Sequence, residues 1–89
     1  WLRNANHANS MAQTLYQGIK DIPGVEVVAP QANALFPILP GKSIEPLQKV
    51  AKFYVWDHTI NQARWMCSWD TTAQDVTDFV AAVKSELAN

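Results

Sequence analysis

The chain has one cysteine, three glycines and two arginines in 89 residues, and each scarcity removes a class of function. With Cys67 alone, no disulfide can form within the chain. Only His7 and His58 could join that thiol at a metal, and their spacing matches no zinc pattern. Three glycines leave no Gly-rich loop to cradle a phosphate. Seven basic residues against eight acidic ones give a net charge of −1 and no basic stripe, which argues against nucleic acid as a partner. The apolar runs are far too short to span a bilayer, and no signal peptide opens the chain. These absences lead to the expectation of a cytoplasmic protein with a free thiol and no membrane contact.

What remains is an ordinary globular composition, 48% hydrophobic and 17% charged. A core of this size is marginal by itself and needs outside support. Disulfide and metal being excluded, protein is the expected support. Trp1-Leu2-Arg3-Asn4 falls directly into a helical pattern without a Ser, Thr or Asp cap before it. The reading is a single small domain over residues 1–89, a fragment that starts inside or at a helix of a longer protein.

Leu2, Ala5, Ala8, Ala12, Leu15 and Ile19 recur at spacings of three and four and predict one long amphipathic helix. Asp21-Ile22-Pro23-Gly24 stops it, because proline lacks an amide and glycine accepts the turn. Residues 25–28, rich in valine, predict a short strand. Residues 33–39 predict a second strand that Pro37 confines to an edge or bends. Pro40-Gly41-Lys42 reads as a turn, followed by a short helix capped by Ser43, with Pro46 in its first turn and Ile44, Leu47, Val50 and Ala51 as its apolar face. Residues 53–56 and 63–69 read as strands joined by a polar turn at Asp57-His58-Thr59. Thr72 with Asp75 makes a capping box, and Val76, Phe79, Val80, Val83 and Leu87 make one stripe of a last helix. The order α-β-β-α-β-β-α predicts an α+β fold: a small, mainly antiparallel sheet with helices packed on one face.

Arg64 opens the run Arg64-Trp65-Met66-Cys67-Ser68-Trp69-Asp70-Thr71-Thr72. Strand alternation puts Arg64, Met66 and Ser68 on one face and Trp65, Cys67 and Trp69 on the other. The tryptophan face suits the helices, so Arg64 points toward whatever covers the other side. Its planar fork can hold a carboxylate by two parallel hydrogen bonds. Spacing alone equally fits a solvated strand arginine or a surface ion pair. Trp56, Trp65 and Trp69 read as core or interface area, Cys67 as a buried inert thiol, and His7 and His58 as ordinary polar residues. No Ser-His-Asp set assembles at a meaningful spacing.

Three blocks of the chain resemble the C-terminal small domain of low-specificity L-threonine aldolases, in the β-eliminating lyase group of fold-type I pyridoxal-phosphate (PLP) enzymes. They are the helix from Asn6 through His7-Ala8-Asn9-Ser10-Met11-Ala12-Gln13-Thr14 to Leu15, the segment from Val25 to Leu39 containing Gln31-Ala32-Asn33-Ala34-Leu35-Phe36, and the arginine-led strand from Arg64 to Thr72 followed by Asp75-Val76. The resemblance implies that Arg64 binds the α-carboxylate of the amino acid attached to PLP. Clamping that carboxylate fixes the torsion that stands the Cα–Cβ bond perpendicular to the cofactor ring, which is catalysis by positioning. It also implies a threonine or allo-threonine substrate cleaved to glycine and acetaldehyde, and a homo-oligomeric parent. The lysine, aspartate, phosphate cup and histidine that hold PLP are implied to lie upstream, so that the fragment binds no PLP and is inactive alone. Cys67-Ser68 stand where the commoner pattern of the family has Thr-His. The alternatives are the small domain of another fold-type I PLP lyase or a racemase, and a non-catalytic α+β interaction module.

Overall fold

The computed structural model describes residues 2–88; Trp1 and Asn89, and the Leu2 side chain, lie outside the described part. The elements are α1 (Leu2–Ile19), β1 (Ala34–Leu35), α2 (Gly41–Val50), β2 (Tyr54–Asp57), β3 (Gln62–Met66) and α3 (Ala73–Ala88). The three strands form one antiparallel sheet in the order β1-β3-β2. The α+β class and the antiparallel sheet are as the residue pattern predicts.

In α1 the side chains of Ala8, Ala12, Leu15 and Ile19 are buried, and Ala5 is half-buried. The helix ends at the Asp21–Gly24 turn, where Gly24 takes φ +95°, a backbone region that side chains disfavour. A Cβ on Gly18 would come within 2.7 Å of Val80, so α1 approaches α3 through a position that carries no side chain. Helix α3 also touches α2, and the shared core joins Ile19, Leu35, Leu47, Trp65 and Val83. The helices thus cover the sheet face that carries Ala63, Trp65 and Cys67.

Local expectations fail at residues 25–28 and at the start of α2. The strand over residues 25–28 is reduced to one bridge, Glu26 with Ile38, and Val28 is exposed. The segment over residues 33–39 does lie at the edge of the sheet and is interrupted at Pro37, as expected: its two ladder residues are Ala34–Leu35, and it resumes with Ile38 against Gln62. The Pro37 carbonyl accepts from the Ala63 amide at 2.9 Å, but the proline has no amide to return the bond. Ser43 is no cap: α2 begins two residues earlier, after Pro40. Pro40 holds φ at −57° and so presets the entry to the helix, while the Ser43 hydroxyl is buried and donates to the Pro40 carbonyl at 2.6 Å. Pro46 consequently sits in the second turn rather than the first, and Val50 is exposed.

The capping box at α3 forms as predicted. The Thr72 hydroxyl accepts from the Asp75 amide and the Asp75 carboxylate from the Thr72 amide, each at 3.0 Å. Thr72→Ala is expected to lower stability by about 1 kcal/mol. A urea melt of the variant that overlays the parent would contradict this role.

Candidate functional site

The central strand β3 sets the site by alternation. Ala63, Trp65 and Cys67 are buried under the helices, whereas Met66 and Ser68 on the other side are exposed. Arg64 belongs to that open side and is half-buried. Tyr54 pairs with it directly across the β2–β3 ladder. On the other flank, the register Ala34↔Met66, Leu35↔Trp65 and Ile38↔Gln62 places Phe36 opposite Arg64. The Trp56 ring centroid lies 5.6 Å from the Arg64 Cζ, within cation–π range.

Lys52, Phe53, Tyr54, Arg64 and Met66 line a groove of about 290 Å³ on this face. Its lining thus includes two basic residues and a tyrosine, and among the described residues no carboxylate lines the groove. Among the described residues Arg64 also forms no salt bridge, so its fork is spoken for neither by a private ion pair nor by the packing of sheet on helices. Such a groove attracts an anion, and the guanidinium can grip a carboxylate by two bonds.

The other residues singled out by sequence fall elsewhere. Trp65 is core, meeting Phe79 at 4.8 Å and Phe53 at 5.6 Å, both edge-on. Trp69 is not: regular alternation stops with the strand, and the residue lies in a turn, 69% exposed. Trp56 is likewise on the open face rather than in the core. His7 ties α1 to the approach of α3 through its Nε2 and the Thr71 carbonyl, 2.5 Å apart. His58 is an exposed turn residue, beside an Asp57 carboxylate that Thr59 holds below the usual carboxylate range through its hydroxyl and amide. Among the described residues no cluster of His, Cys, Asp and Glu could hold a metal ion, and no helix is long and apolar enough to cross a membrane.

Cys67 is buried, and burial pushes its thiol pKa up. A raised folded-state pKa favours the neutral thiol, so this contribution to stability is complete below the unfolded thiol's range and is lost as pH rises through the folded value. Alkylation by iodoacetamide at mildly alkaline pH is expected to be slow in buffer and fast in urea. Equal rates in the two would show that the thiol is open.

No protein-family model matches the chain. Two curated relatives do: a low specificity L-threonine aldolase of Pseudomonas sp., 39% identical over 90 residues, and one of Pseudomonas aeruginosa, 37% identical over 86. These alignments span 99% and 94% of this chain. The likeness is to threonine aldolases. It extends to structure, since a threonine aldolase of Leishmania major superposes with a TM-score of 0.77 at 29% identity, over 91% of this chain and 25% of that one. The matched part is the C-terminal part of the Leishmania chain. The chain spans about a quarter of the length of the curated threonine aldolases it matches.

Proposed function

We propose that this chain is the C-terminal small domain of a PLP-dependent threonine aldolase and that Arg64 grips the α-carboxylate of its threonine-class substrate. The reading rests on Arg64 standing, without a salt bridge among the described residues, over a carboxylate-free groove on the uncovered side of the central strand. The similarity to low specificity L-threonine aldolases supports the reaction, cleavage of threonine or allo-threonine to glycine and acetaldehyde.

The groove does not fit PLP itself. A pyridine nitrogen calls for a facing carboxylate, and among the described residues the groove has none. The cofactor and the remaining catalytic groups are assigned to the rest of the parent, and this chain's share is binding. By fixing the carboxylate, Arg64 limits the orientations open to the bond that is to break.

The test is product analysis on the full-length polypeptide that carries this segment, supplied with PLP and then with threonine, allo-threonine, serine or tryptophan. Glycine and acetaldehyde from the first two are expected. Elimination or racemisation products in their place would assign the domain to another PLP enzyme, and a full-length protein that binds no PLP would overturn the proposal altogether.

A further inference from the structure

The β2–β3 ladder slips at one place. Val55 pairs with Ala63 and Asp57 with Gln62, which leaves Trp56 as the residue without a partner on β3. A bulge of this kind bends its strand and re-aims the side chain it carries. Here the re-aimed side chain is an indole, 60% exposed, which reaches the Arg64 guanidinium at 5.6 Å. The ring is not loose despite its exposure. Phe36, from the far side of β3, meets it at 5.3 Å with the planes inclined at 62°.

A strand arginine with a free side chain gives up rotamer freedom whenever it grips a ligand. A contact with the face of an indole draws on the positive charge and takes none of the five N–H donors, so the fork stays available for a carboxylate. Restricting the side chain beforehand lowers the cost of binding. Phe36, Trp56 and Arg64 thus form a chain of contacts across the open face, each restraining the next.

We infer that Trp56 is the positioning residue of Arg64, a role that rests on the carboxylate reading of that arginine. Trp56 touches neither substrate nor cofactor in this scheme; it acts through the guanidinium.

Two measurements test it. In the 89-residue chain, the Arg64 Nε–H resonance should carry a ring-current shift that Trp56→Leu removes and Trp56→Phe largely keeps. In the full-length enzyme, Trp56→Leu should raise KM for the amino acid about two- to fivefold, the range a cation–π contact near the surface converts to, with kcat little changed. Trp56→Phe should recover most of that. If Arg64→Ala raises KM and Trp56→Leu does not, the role of Trp56 is overturned while the carboxylate reading stands. If Arg64→Ala leaves KM unmoved, the carboxylate reading fails, and the positioning role falls with it. Absence of the ring-current shift in the parent chain would also overturn the inference.

Discussion

On the proposed carboxylate role, replacing Arg64 with alanine in the full-length polypeptide that carries this segment is expected to raise KM for threonine about a hundredfold while PLP stays bound. The size follows from the bond being removed. A carboxylate held by a guanidinium makes charge-assisted hydrogen bonds, each contributing roughly 1.5–3 kcal/mol, and every 1.36 kcal/mol is a factor of ten. The lost grip bears on substrate and not on cofactor, because the groove has no fit for PLP, so the absorbance band of the bound cofactor should be unchanged. Arg64→Lys should recover only part of the loss, since an ammonium is a point charge without the planar fork. Normal kinetics in Arg64→Ala would remove the assigned role.

The second large effect concerns stability. Trp65 is 4% exposed and lies between Phe53 and Phe79, where sheet meets α3. Trp65→Ala is expected to cost about 3–5 kcal/mol. Small domains have a total of roughly 5–15 kcal/mol to lose, so the variant should be largely unfolded at modest urea. Trp65→Phe should behave quite differently. The indole Nε1 is buried without a hydrogen-bond partner, so phenylalanine sheds a desolvated donor and not a bond. We expect it to cost less than half as much as alanine in urea denaturation followed by circular dichroism. Equal losses in the two variants would show that a phenyl ring cannot take the place of the indole there.

Helices α1 and α3 were legible because their apolar positions repeat at helical spacing over many residues and their ends carry chemical signals, a proline-glycine stop and a capping box. The faces of β3 were legible by alternation as far as Cys67. The errors cluster where segments are short. Residues 25–28 have strand composition, yet only Glu26 finds a partner, because bridging depends on what lies alongside. Ser43 looks like a cap, but the rigid Pro40 had already started the helix. Trp69 follows the alternation of a strand that has ended. Trp56 gave no signal of its place beside Arg64, since a bulge is a property of two paired strands and appears in neither alone.

By itself the sequence determined which residues could turn inward, where the long helices stop, and that Arg64 shares a strand face with Met66 and Ser68, opposite Trp65 and Cys67. Those are local matters, settled by side-chain period, capping chemistry and the lack of a proline amide. Tertiary structure alone decided what surrounds that arginine: the groove with Lys52 and Tyr54, the freedom from carboxylates, and the indole set over it. Register and bulge bring residues of β2 and β3, and Phe36 just past β1, to one place, and such meetings depend on pairing across the chain that no local pattern encodes.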